Sequence, residues 1–147
     1  MRRAPTAATA ATAVAAALLA VLGLLALTGC EETKEKAGNI VASATAAAQE
    51  QMNQIKNGVD AKGDVKAGPT STDGDRTVAT VTATNPKDST VDYTIWVNFR
   101  DKDGNLLDAV VMNINDVGAK AVKTGTARSN RSLSGATKAE IVQAVRH

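Results

Sequence analysis

Cys30 carries the only thiol in the 147-residue chain, and its neighbours indicate what that nucleophile is placed to do. It follows Leu27-Thr28-Gly29 and closes an apolar run from about Ala13 to Leu27, which itself begins behind Arg2 and Arg3. A charged start, an apolar centre and small residues before a cut form the layout of a secretory signal. Here the cut falls in front of the cysteine. A thiol forms a stable thioether with a lipid donor, which a serine hydroxyl at position 30 would not. Other groups offer less. His147 is the one histidine and the last residue, so a Ser-His-Asp or Cys-His arrangement is expected to lack an ordered base. No serine has a lysine three places on. No His, Cys and carboxylate cluster has zinc spacing, and no glycine loop suits phosphates. Asp92 and Asp108 are acids that can meet across strands as a carboxylate pair, although charge on solvated strands explains them as well. No catalytic residue, metal ligand or cofactor is expected.

The junction Leu27-Thr28-Gly29-Cys30 resembles the lipobox of bacterial lipoproteins. That resemblance implies a diacylglyceryl group on the Cys30 sulfur, with acyl chains of the palmitate kind, and removal of residues 1–29. Each buried methylene contributes about 0.8 kcal/mol, and two acyl chains anchor where one does not. Membrane lipid held through Cys30 is therefore the expected partner, and the extracytoplasmic face of the cell membrane the expected location. The alanine-rich signal also resembles those of lipoproteins from high-GC Gram-positive bacteria, which implies the outer face of the plasma membrane, towards the wall. An uncleaved membrane helix is the competing reading. The 15 residues from Ala13 to Leu27 fall short of it, because a spanning helix needs about 20. Ala4-Pro5 after the arginines does not suit a twin-arginine signal, so general secretion is expected.

Without residues 1–29 the chain has 118 residues, enough for one domain and too few for a two-lobed solute receptor. Both arginines of the signal leave with it, so 15 basic residues face 15 acidic ones and the formal net charge is zero. Nucleic acid is not an expected partner, because counterion release needs clustered Lys and Arg. With one Trp, one Tyr and one Phe, the core must be built from Val, Ile, Leu and Ala, and modest stability is expected.

Pattern divides the chain into four segments: 1–29, the signal; 30–60, the cysteine, a charged spacer over 31–37 and an amphipathic helix; 61–75, a Gly-rich linker that can hold a first strand; and 76–147, a β-sandwich. The helix is drawn by Val41, Ala44, Ala48, Met52, Ile55 and Val59, spaced three and four apart, with Asn57-Gly58 as its stop. Its stripe is narrow and alanine-rich, so it must dock to be stable. Period-two alternation then predicts strands over 77–84, 91–100, 106–114, 121–127 and 138–145, the last with Ala139, Ile141 and Val145 on one face. Short strands separated by turns predict a mainly β fold: a small antiparallel immunoglobulin-like sandwich preceded by an amphipathic helix. Asp101-Lys102-Asp103-Gly104-Asn105 has the acid spacing of half a calcium loop. Leu106 and Met112 stand where the sharp-turn glycine and the bidentate acid belong, so a hairpin turn is expected instead.

The runs Val81-x-Ala83-x-Asn85, Tyr93-x-Ile95-x-Val97-x-Phe99-x-Asp101-x-Asp103-Gly104 and Val117-Gly118 resemble the immunoglobulin-like FxLYD domains of bacterial and archaeal surface proteins, over roughly Asp64 to Arg146. The name-giving motif falls on Val97-Asn98-Phe99-Arg100-Asp101, where the apolar positions and Asp101 agree. The resemblance implies a fold and an extracytoplasmic interaction role, and supplies no catalytic residues.

Trp96 alternates out of phase with Tyr93 and Phe99, so a simple sandwich would expose it. The next strand is apolar on both parities: Leu106, Val110, Met112 and Ile114 on one, Leu107, Ala109 and Val111 on the other. Trp96, Leu106, Val110, Met112 and Ile114 are thus the candidate partner-binding or helix-docking residues. The helix stripe, an envelope protein or glycan partner, or plain surface scatter can account for them. The expected function is that of a monomeric, membrane-anchored, non-catalytic binding module. An accessory subunit of an integral membrane complex is the first alternative, and an unrecognised cell-wall hydrolase or transferase the second.

Overall fold

The computed structural model describes the backbone of residues 29–147 and the side chains from residue 36 onward. The chain divides into Met1–Lys36 and Ala37–His147. Leu27 and Thr28 lie outside the described residues, as does the rest of the expected signal before Gly29. Gly29 and Cys30 open helix α1, Gly29–Asn53, in backbone only. The charged stretch expected as a spacer is therefore helical, as its lack of Gly and Pro before Gly38 allows. None of the described helices is long and apolar enough to cross a membrane.

After α1 come β1 (Val59–Asp60), a 3-10 turn (Lys62–Asp64), β2 (Val65–Asp73), β3 (Arg76–Thr84), β4 (Val91–Arg100), β5 (Leu106–Val117), β6 (Val122–Arg128) and β7 (Lys138–Arg146). Two antiparallel sheets form, ordered β1-β7-β4-β5 and β2-β3-β6. The described residues form a mainly β sandwich with one α-helix. β3 pairs with β6 in one sheet while β4 pairs with β5 and β7 in the other, which are the B–E and C–F pairings of an immunoglobulin fold. The G-strand place beside β7 is taken by β1, which arrives from the N-terminal side. Most of the 61–75 linker is strand β2. Pro69 is tolerated there because β2 is an edge strand and the ladder breaks between Ala67 and Thr70.

The inner core joins Val81, Ala83 and Ala79 of one sheet to Tyr93, Ile95, Val97, Phe99, Ile141 and Ala144 of the other. These are the alternating positions that the period-two pattern picks out. α1 ends at Asn53, before the predicted Asn57-Gly58 stop. Those two residues form instead the turn into β1, with Asn57 at a φ of 59°. Val59, expected on the helix stripe, is an exposed residue of β1.

Candidate functional site

The outer face of the β7-β4-β5 sheet is where the described structure gathers its unexplained apolar residues. Trp96 is 6 % exposed there and packs with Ala48 and Met52 of α1, Ala109 of β5 and Val145 of β7. Ala44, Ile55, Val111 and Val142 close the cluster. Four of the six stripe residues, spaced four, four and three apart, thus meet the sheet, as a helix laying one face down must. The indole N–H, which burial would otherwise leave unpaired, donates to Asn98 Oδ1 at 2.9 Å.

The register decides which neighbours reach this face. Leu106 pairs with Arg100, yet Phe99 pairs with Asp108, so Leu107 is an extra residue on β5. A one-residue shift turns every later side chain to the other face. Trp96 consequently sits opposite Val111, whereas Val110 sits opposite Val97 and Ile114 opposite Tyr93, inside the sandwich. Of the five candidate residues, Trp96 and Leu106 share the outer face. Val110, Met112 and Ile114 do not, and the docking positions on β5 are Ala109 and Val111. A second bulge acts likewise on β7. Val97 pairs with Ile141 but Trp96 with Gln143, so Val145 faces α1 while Ala139 and Ile141 face the core.

Three grooves border the docked helix among the described residues, one of them of about 170 Å³ between Ala44, Ala48 and Gln51 and β5. Near its C-terminal turn a cavity of about 320 Å³ is bordered by the amides of Gln51, Gln54, Asn113 and Asn115 and by His147. His147 is more ordered than its place in the sequence suggests, because its N–H and carbonyl both pair with Asp92 at 3.0 Å. Its Nε2 lies 3.1 Å from Thr94 Oγ1, and that hydroxyl donates to Asn113 Oδ1 at 2.9 Å. The His147 ring is thus tied into a hydrogen-bonded chain with Thr94 and Asn113. Near the helix start a third groove, of about 380 Å³, runs between Val41, Leu106, Leu107 and Leu133, with Arg131 and Ser134 at its edge.

The acids are occupied structurally. Asp92 Oδ1 accepts from Asp116 N–H at 2.7 Å. Asp108, 1 % exposed, accepts from the N–H groups of Ala109 and Asn130 and from Asn130 Nδ2. Asp92 adjoins the Val91–Val117 end of the hairpin and Asp108 lies opposite Phe99, so the two do not meet. The strand between these places, from Asp92 to Phe99, spans about 23 Å. Asp101 Oδ1 accepts from Asp103 and Asn105 N–H and its Oδ2 from Asn105 Nδ2, all at 2.9 Å. These bonds, the Asn105 side chain first, hold its carboxyl below the usual carboxylate range. With Gly104 at a φ of 86°, the segment is a hairpin turn.

One link across the sandwich escapes sequence reasoning. Arg146 reaches Asp64 Oδ2 at 2.6 Å, and Tyr93 Oη lies 3.3 Å from the same oxygen and 3.2 Å from Thr84 O, either of which can accept its proton. Burial, ahead of the opposing charges, raises the Tyr93 phenol. These residues lie in separate segments, and no local signal joins them.

The architecture defines a class: a small immunoglobulin-like sandwich whose outer sheet face is sealed by its own N-terminal helix. Comparison of the chain with protein-family models, with curated proteins and with solved structures finds no match.

Proposed function

We propose that this chain is a membrane-anchored extracytoplasmic lipoprotein that works as a non-catalytic binding module at the cell envelope. The observation that carries the reading is Leu27-Thr28-Gly29-Cys30 behind an apolar run and two arginines. Support for binding over chemistry comes from the site: the acids considered as a pair lie apart. The grooves beside α1 offer surfaces for a ligand. The test is intact mass and membrane partition of the chain expressed in a bacterium, wild type beside Cys30→Ser. A diacylglyceryl mass on a chain beginning at Cys30, with the variant left as an unprocessed precursor, is the expected result. If both retain residues 1–29 and carry no lipid, the reading fails.

A second reading, an accessory subunit of an integral membrane complex, is favoured by the burial of Trp96 under the chain's own helix, since that residue then serves the fold and is not free to grip a ligand. Extraction in a mild detergent followed by native electrophoresis separates the readings. A stable large complex supports the subunit, and migration as a single chain supports the free module.

A further inference from the structure

Two separate demands of the fold place an asparagine directly in front of a glycine. Residue 57 takes a left-handed φ of 59° in the turn from α1 to β1, a conformation that Asn tolerates better than most side chains. Residue 58 runs against β7, where a Cβ would collide with Val145 Cγ1, and glycine has none. The pair that results, Asn57-Gly58, is the only Asn-Gly in the chain, and both residues are exposed. No hydrogen bond among the described residues engages the Asn57 carboxamide or the Gly58 N–H, and the ladder to β7 begins one residue later, at Val59. The peptide joining them can turn without breaking a ladder bond.

We propose that Asn57 is a site of spontaneous deamidation, and that the product loosens the seat of α1 on the sandwich. The Gly58 nitrogen gives its proton to water or hydroxide and attacks Asn57 Cγ. An N–Cγ bond forms and closes a succinimide, while the Cγ–Nδ2 bond breaks and ammonia leaves. Water then opens the ring. Addition at Cγ gives aspartate; addition at the former main-chain carbonyl gives β-aspartate, whose backbone runs through the side chain and is one methylene longer. Nothing is oxidised or reduced, and water is the only reactant consumed. The other eight asparagines lack such a neighbour: Asn85 precedes Pro86, which has no N–H, and each of the rest precedes a residue whose side chain shields its nitrogen.

The longer backbone falls where the fold has no slack. Gly58 lies against Val145 and Ile55, and these two pack with Trp96, Ala48 and Met52 beneath α1. Strand β1 is two residues long and pairs with β7 alone. An added methylene at residue 57 therefore moves Gly58 off Val145 or draws β1 out of its register with Arg146 and Val145, and either opens the Trp96 cluster to water.

The experiment holds the full chain, purified in detergent, at physiological pH and temperature for weeks beside a sample in urea. Peptide mass spectrometry follows the exchange of NH2 for OH at each asparagine, and methylation by an isoaspartyl methyltransferase reports the β-linked product. Asn57 should convert in the folded chain as fast as in urea, and about tenfold or more faster than any other asparagine of the folded chain. Trp96 emission should move red in step with the methylated fraction. Asn57→Gln, whose longer amide would need a larger ring, should keep both its mass and its emission. Asn57 left intact in the folded chain while it converts in urea overturns the site, and full conversion with unchanged Trp96 emission overturns the loosening.

Discussion

Trp96 Nε1 donates to Asn98 Oδ1 across 2.9 Å, two residues along the same outward face of β4, and both side chains are buried. An indole that would have been exposed on a bare sandwich is instead supplied with an acceptor from its own strand and a roof from Ala48 and Met52. The helix and the sheet face therefore form one packed layer, and the dock should behave as part of the core.

Trp96→Ala should lose about 3–5 kcal/mol of unfolding free energy, the usual cost of truncating a large buried aromatic. Urea denaturation followed by circular dichroism measures it. Because Trp96 is the only tryptophan, wild-type emission should be blue-shifted and should move red as α1 undocks. A loss below about 1 kcal/mol, far under that usual cost, with unchanged ellipticity would show that the helix does not depend on the dock.

Asn85 ties two turns together. Its Nδ2 donates to Ser89 O, Val117 O and Gly118 O at 2.7, 2.9 and 3.0 Å, and its Oδ1 accepts from Lys87 N–H at 2.9 Å. Asn85 itself is 1 % exposed, and its bond to Val117 O is fully buried. Asn85→Ala should cost about 2–3 kcal/mol, through carbonyls and an N–H left unpaired, and should do so by thermal or chemical denaturation without altering Cys30 processing.

At Gly58 the chain passes so close to β7 that an added Cβ would run into Val145 Cγ1 and press on Ile55 Cγ2. Gly58→Ala should destabilise by about 1–3 kcal/mol, since both neighbours are fixed branched side chains. Gly125→Ala meets Met112 Cε at 2.6 Å, the free end of a flexible side chain, and should cost less. Comparison of the two melting temperatures decides between them.

Acid should act on the β4–β5 turn. Hydrogen bonds from Asn105 and Asp103 hold Asp101 low, and the Arg100 side chain holds Glu140 low, with an Nε to Oε2 distance of 2.6 Å. A carboxyl whose folded pKa lies below its unfolded value of about 4 stabilises at neutral pH, and that contribution is lost as pH falls through the folded value. Asp101→Asn should therefore melt below wild type at neutral pH, and the gap should close under strongly acidic conditions. A gap that is constant with pH would show that the carboxylate charge plays no part.

Much of the architecture is legible in local pattern. β4 is drawn by Tyr93, Ile95, Val97 and Phe99 alternating with polar residues, and its expected bounds, 91–100, are those observed. Short β1 is not legible, because Val59 and Asp60 have no period of their own and become a strand only by meeting Arg146 and Val145. Nor is the helix start, because charged residues 31–37 resemble a spacer as much as a solvated helix.

The amino-acid sequence by itself determined the strand pattern, the turn at Asp101-Gly104, the helix stripe and the Leu27–Cys30 junction, because periodicity, glycine and proline act within a few residues. Tertiary structure alone decided which apolar residues share a face. The extra residues at Leu107 and Val142 reverse the parity of the strand beyond them, so Val111 and Val145 reach Trp96 while Val110 and Ile114 enter the core. A bulge costs little locally and is chosen by the surface the two strands bury together, so its position is a property of the assembled sheet. The Arg146–Asp64–Tyr93 link arises in the same way, from segments that only the fold brings together.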